Sequence, residues 1–172
     1  YKEEADRIAA AVGLERVARI SHIGSTSVPG LLAKPTIDIL LEVVPDTDVA
    51  AMDAAFESVG FGVSPQPNHP VPHRMYLKGY TPEGFRGQVF HVHVRHPGDW
   101  DEYYFRDWLQ EHPDTAEAYA ALKQELMRIH KHDRDEYTNQ KTAFVRETTA
   151  RARVAYGPRY QPSAAEGGSP GL

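Results

Sequence analysis

Two short runs carry the residues best suited to chemistry. The first, His22-Ile23-Gly24-Ser25-Thr26-Ser27-Val28-Pro29-Gly30, is a turn of small residues. Such a turn leaves backbone N–H groups and hydroxyls free to hold phosphate oxygens. Gly24 would let the backbone approach a triphosphate, and Ser25 would donate a hydrogen bond to it. The second run, Lys34-Pro35-Thr36-Ile37-Asp38-Ile39-Leu40-Leu41-Glu42, reads as a buried strand bearing carboxylates. A carboxylate there suits the divalent metal that bridges bound phosphates. Asp38 is the candidate ligand, because a lone carboxylate among apolar strand residues is costly unless paired or metal-bound. Alternation puts Asp38, Leu40 and Glu42 on one face and Ile37, Ile39 and Leu41 on the other; Glu42, ~13 Å along an extended strand from Asp38, is too far to share one ion. The bland alternative pairs Asp38 with Lys34, His22 or an arginine in a structural cluster.

His91-Val92-His93-Val94 is the third element. On a strand its two imidazoles share a face ~7 Å apart, within reach of one ion. His91 and His93 are therefore candidate metal ligands with Asp38, although an exposed edge strand would also tolerate them. The metal would be Mg or Mn, with a transition metal open because imidazole favours Zn, Mn, Fe or Ni. His69, His73 and His96 read as incidental.

The run HIGSTSVPGLLAKPTIDI resembles the signature of the GrpB family, whose fold belongs to the nucleotidyltransferase superfamily. His91-Val92-His93, Phe105-Arg106-Asp107-Trp108-Leu109, His112-Pro113, Tyr119, Lys123, and Tyr137 with Lys141 resemble later family positions in order. The similarity covers nearly the whole chain. It implies nucleotide or phosphate binding by the Gly24–Ser27 loop (Thr26 and Ser27 included) and by Lys34, Arg74, Lys123 and Lys141. Lys123 and Lys141 would neutralise the β- and γ-phosphates, and Tyr137 would stack on a base or pack. Arg106 with Asp107 reads as a structural ion pair. Active members of the superfamily carry acid–apolar–acid where this chain has Asp38-Ile39-Leu40.

The elements that must position these groups follow from patterning. Ala5, Ile8, Ala9 and Val12 at helical spacing, then Gly13, predict a helix over 2–12. Strands are expected over 16–23 and 36–44, and a helix after Pro45-Asp46-Thr47-Asp48 with Val49, Met52, Phe56 and Val59 on one face. The proline-rich 61–72 stretch reads as loop, followed by strands at 74–80 and 88–95. Helices are expected over 100–111, 114–131 (buried stripe Tyr119, Leu122, Leu126, Ile129) and 137–156. The fold class is α+β: a nucleotidyltransferase-like mixed sheet with flanking helices in 1–98, a C-terminal helical subdomain in 99–157, and a disordered tail in 158–172.

Composition narrows the function. The chain has 172 residues, 41% hydrophobic and 25% charged, with net charge −5. An acidic balance argues against a general nucleic-acid binder. The absence of cysteine removes disulfides, thiolate chemistry and zinc–sulfur sites. No apolar run approaches the ~18 residues of a membrane helix, and a cytoplasmic location is the default. The leading expectation is a protein that binds a nucleoside triphosphate and a divalent metal and transfers a nucleotidyl group to a small-molecule acceptor. Asp38, Ser25, Lys123 and Lys141 would be its catalytic residues. The alternatives are a non-catalytic nucleotide-binding or accessory module, and a different metal-dependent reaction at an Asp/His/His site.

Overall fold

Helix α1 (Lys2–Val12) buries Ala5, Ile8, Ala9 and Val12, the stripe its spacing dictates. It leads through a 3-10 turn at Leu14–Arg16 into β1 (Val17–Ile23), then the small-residue loop, then β2 (Thr36–Val43). Helix α2 (Val49–Ser58) is N-capped by Asp48, whose side chain accepts from the Ala50 amide. Strands β3 (Gly62–Pro65), β4 (Arg74–Thr81) and β5 (Gly84–Arg95) complete the sheet. Helices α3 (Asp101–Glu111), α4 (Pro113–Ile129) and α5 (Arg134–Tyr156) follow. This computed structural model describes residues 1–162 except 67, 71 and 131–133, and at 134, 135, 137 and 138 it describes the backbone alone.

The fold is mixed α+β. Its five-stranded sheet runs β1-β2-β5-β4-β3, with β2 and β5 parallel and the other pairs antiparallel. Strand alternation sorts the two faces. Ile39, Leu41 and Val43 of β2, with Phe90, Val92 and Val94 of β5, pack against Ile8, Val12, Met52 and Phe56 of α1 and α2. The opposite face carries Asp38, Leu40 and Glu42 on β2 and His91, His93 and Arg95 on β5. It lies under α3–α5, where Leu40 clusters with Ile23 and Tyr103.

Glu42 has no exposure at all. Its carboxylate accepts from Arg19, from the Gly98 amide at 2.8 Å and from the Tyr103 hydroxyl at 2.8 Å. A buried carboxylate is tolerated only with its lone pairs filled in this way. Burial together with the Glu42 bond pushes the Tyr103 hydroxyl well above the usual phenol range. Arg106 pairs with Asp107 at 2.6 Å and also donates to His22 O, fixing α3 to β1.

Some element bounds and burial differ from expectation. Residues 62–65 form β3 although Pro65 lies among them; β3 is an edge strand, where a missing N–H costs no ladder bond. Strand β5 starts at Gly84 rather than 88, extending the hairpin with β4 beyond the sheet body. Ile129 is 55% exposed rather than buried, and Lys123 takes a place in the α4 stripe at 9%. The expected disordered tail falls largely on 163–172, outside the described residues.

Candidate functional site

The site is built where β1 hands over to the small-residue loop. Gly24 has φ +71°, and a Cβ placed on it would lie 2.5 Å from Asp38 Oδ2. Only glycine meets both demands, the backbone conformation and the close approach. Ser25–Ser27 form one 3-10 turn. Ser27 Oγ donates to Gly24 O at 2.6 Å, and Thr26 Oγ1 donates to Thr36 O at 3.0 Å while meeting His22 Nε2 at 3.0 Å. Those two hydroxyls hold the loop in shape. Ser25 points its hydroxyl across to α4, where Lys123 Nζ stands 3.2 Å away.

Lys123 also donates to Leu32 O at 2.6 Å and lies 4.6 Å from the Tyr119 ring centroid. Burial, helped by the nearby Lys141 charge, lowers its pKa to about 8. Ser25, Lys34, Asp38, His91, Lys123 and Lys141 line one cavity of about 240 Å³. Three lysines from separate elements therefore face the same small space as the strand carboxylate.

Asp38 sits opposite Ile23 on one side and His91 on the other in the ladder. His91 Nδ1 is 3.1 Å from Asp38 Oδ1, and His91 Nε2 is 2.6 Å from the Tyr80 hydroxyl. The consistent assignment has Nδ1–H donating to the carboxylate and Tyr80 donating to Nε2. Both ring nitrogens are thereby engaged by protein groups, and His91 helps to orient Asp38. Asp38 and His91 keep 28% and 26% side-chain exposure, enough for a ligand to reach them.

His93 faces a second cavity of about 460 Å³, lined also by Gly24, Asp38, Glu102, Phe105, Val145 and Thr149. Burial lowers its pKa, opposed by the Asp38 charge. The two cavities meet at Asp38. Among the described residues, no three His, Asp or Glu side chains cluster as a ready metal site. The expected Asp38–His91–His93 set is thus not pre-assembled. The donors left are the second Asp38 oxygen and the His93 ring.

Two further expected residues are not in the described lining of the lysine cavity. Arg74 is not in the lysine cavity; it pairs with Asp53 of α2 at 3.3 Å, across the sheet from Ser25. The Tyr137 side chain lies outside the described residues. Tyr80 escaped the sequence reading for a physical reason. Strict alternation would send it to the Tyr76 face, but the ladder slips between Lys78 and Tyr80 at Gly79. Gly79 has φ +90°, and an added Cβ would stand 2.7 Å from Gln88 O. This bulge re-aims Tyr80 onto His91. Gly79 was the available signal.

Comparison with known proteins agrees with this architecture. The family model described as GrpB protein matches residues 1–151. A UPF0157 protein of Pseudomonas aeruginosa is 41% identical over 157 residues, covering 90% of this chain and 63% of that protein. The UPF0157 protein YqkA of Bacillus subtilis is 31% identical over 156 residues, covering 89% and 43%. The crystal structure of conserved protein GrpB from Enterococcus faecalis superposes with a TM-score of 0.77 at 31% identity, covering 91% of this chain and 92% of that one. The chain belongs to the GrpB family. It spans less than two thirds of the Pseudomonas relative and less than half of the Bacillus one. Among the described residues, no helix is long and apolar enough to cross a membrane.

Proposed function

We propose that this chain has a nucleotidyltransferase-type site that binds a nucleoside triphosphate with one divalent cation and transfers the nucleotidyl group to a small-molecule acceptor. The observation carrying this reading is the convergence of Lys34, Lys123 and Lys141 with Ser25 on a small cavity bordered by Asp38. Cations and a hydroxyl donor around a confined space suit phosphate oxygens. In this scheme the lysines and Ser25 hold the β- and γ-phosphates, and the α-phosphate lies beside Asp38.

The acceptor oxygen then approaches from the about 460 Å³ cavity, opposite the pyrophosphate. Its proton passes to the neutral His93 ring as the new O–P bond forms. The bond from the α-phosphorus to the bridging oxygen breaks, and the lysines neutralise the departing pyrophosphate. With no cluster of three His, Asp or Glu side chains among the described residues, a cation would fit here where phosphate oxygens and water complete its shell, which is the habit of Mg and Mn. Held at Asp38, with the His93 ring left free to take the proton, it would supply charge neutralisation at the α-phosphate.

The full burial of Leu40 favours a second reading, a nucleotide-binding module without turnover. A buried leucine stands where a second acid would bridge two ions, and a strand with one such acid suits binding without two-metal chemistry. Calorimetry of the chain with ATP or CTP plus Mn tests binding, and pyrophosphate release in the presence of an acceptor mixture tests transfer. Saturable binding that is lost in Lys123→Met supports the nucleotide site. Binding without pyrophosphate selects the module, and no binding of either nucleotide with Mn ends both readings.

A further inference from the structure

Beyond His93 the site face continues into a third cavity of about 510 Å³, lined by His69, His73, Arg74, Arg95, Trp100 and Arg153 among others. It shares His93, Asp101 and Glu102 with the middle cavity, which in turn shares Asp38 with the lysine cavity. The three spaces thus follow one another along the sheet face beneath α3 and α5. We propose that this outer cavity binds the anionic group, carboxylate or phosphate, of a small hydroxyl-bearing acceptor whose reactive end extends past His93 toward Asp38. Calling that molecule the acceptor rests on the transfer reading above; its binding here does not.

The chemistry of the walls makes the case. Arg95 lies over the Trp100 ring, 4.6 Å from its centroid, and pairs with Glu102 at 2.7 Å. That places a guanidinium on an indole at the boundary with the middle cavity, held in orientation by stacking. His73 meets the edge of Trp100 at 5.7 Å and stacks on His69 at 5.3 Å. Asp99, Asp101 and Glu102 also line the cavity, but Arg153 occupies the two aspartates through bonds of 2.7 and 2.6 Å. Beyond burial, Arg95 and the His69 and His96 rings lower the His73 pKa, and Glu102 opposes them. An anion entering beside His73 and Arg95 meets imidazole and guanidinium donors and an aromatic wall.

The order of the cavities fixes the geometry. In-line displacement needs the attacking oxygen opposite the leaving pyrophosphate. With pyrophosphate among the lysines, the attacking group must arrive from the His93 side, and the outer cavity is the space continuous with that side.

The test uses the whole chain in a Trp108→Phe background, so that Trp100 reports by fluorescence. Glycerol 3-phosphate and lactate serve as probes, distinguishing a phosphate from a carboxylate ligand. The expected result is saturable change with one of them, weakened about tenfold or more in Arg95→Gln and in His73→Ala and unaltered in Lys123→Met. His73→Ala serves as the second variant because its ring makes no ion pair among the described residues, and melting curves check that both variants are folded. Retention of full affinity in both variants, loss in Lys123→Met, or the absence of saturable change with either probe would each overturn the assignment. ATP–Mn calorimetry on the same samples separates this from the nucleotide reading. Nucleotide binding lost while anion binding persists sinks only the earlier proposal; nucleotide binding retained while neither probe binds sinks only this one.

Discussion

Lys123 and Ser25 lie 98 positions apart in sequence yet stand 3.2 Å apart as Nζ and Oγ, so helix α4 is fastened to the small-residue loop through one ammonium. That ammonium is held in a space poor in water, which is why its pKa falls to about 8. The sign of the consequence is definite. Between about pH 8 and the ordinary lysine value of 10.5, the unfolded chain binds the proton that the folded chain has released. Stability from this group therefore rises with pH across that window and is lost as pH falls through about 8. Lys123→Met should flatten this rise, measured as the difference in Tm between pH 7 and pH 10 for the two proteins. Nucleotide affinity should move the other way, declining above about pH 8 as the charge on Lys123 disappears. An affinity flat from pH 7 to 10 would show that Lys123 does not hold phosphate.

Gly24→Ala brings a methyl group to 2.5 Å from Asp38 Oδ2 in a left-handed backbone. The expected cost is about 1–2 kcal/mol in urea unfolding, with Mn–nucleotide binding reduced more than that loss alone explains. Unchanged binding would mean Asp38 is not a ligand.

The two carboxylates on the same face of β2 should separate cleanly. Glu42→Ala strips the partner from Arg19 and the Tyr103 hydroxyl and should cost about 3–5 kcal/mol. Asp38→Ala should cost under about 1 kcal/mol, since its carboxylate is partly exposed, yet abolish Mn-dependent nucleotide binding in calorimetry. The reverse pattern would move the functional strand position from Asp38 to Glu42.

Tyr80→Phe removes the hydroxyl that meets His91 Nε2. Losing support for an orienting histidine should weaken Mn–nucleotide binding about tenfold, with little change in melting. A loss confined to stability would make the Tyr80–His91–Asp38 chain purely structural.

Leu40→Asp tests whether a second acid can be restored. The position is fully buried against Ile23 and Tyr103, and an unpaired carboxylate there should cost about 4 kcal/mol or more. Mn stoichiometry in any folded fraction should stay at one ion; two ions in a stable protein would overturn the single-ion reading.

Much of this architecture was legible from patterning. The α1 stripe, the two faces of β2, and the alternation that sends His91 and His93 away from Val92 and Val94 follow from side-chain period. So did the meeting of Ser25, Asp38, Lys123 and Lys141, through the family resemblance. What was hidden depended on events that period does not encode. The Gly79 bulge reverses the facing of Tyr80, and an edge position turns a proline-rich stretch into β3. The Arg74 pair with Asp53 of α2 joins two elements whose meeting the sequence pattern does not encode. The pairing of His91 with Asp38 needed the ladder register, because two imidazoles on one strand read alike until their neighbours are known.

Strands β2 and β5 are parallel neighbours whose central residues are 53 positions apart, with α2 and the whole β3–β4 segment between them. Joining them closes a long loop before any contact across the pair is gained, and such non-local pairings are slow steps in folding. The hairpin of β4 and β5 can zip from its own turn, so it can form well before Asp38 meets His91. Ligand-binding competence should therefore appear after most of the sheet's hairpin signal during refolding. A nascent chain that ends before β5 possesses the loop and the carboxylate but lacks the strand that orients them.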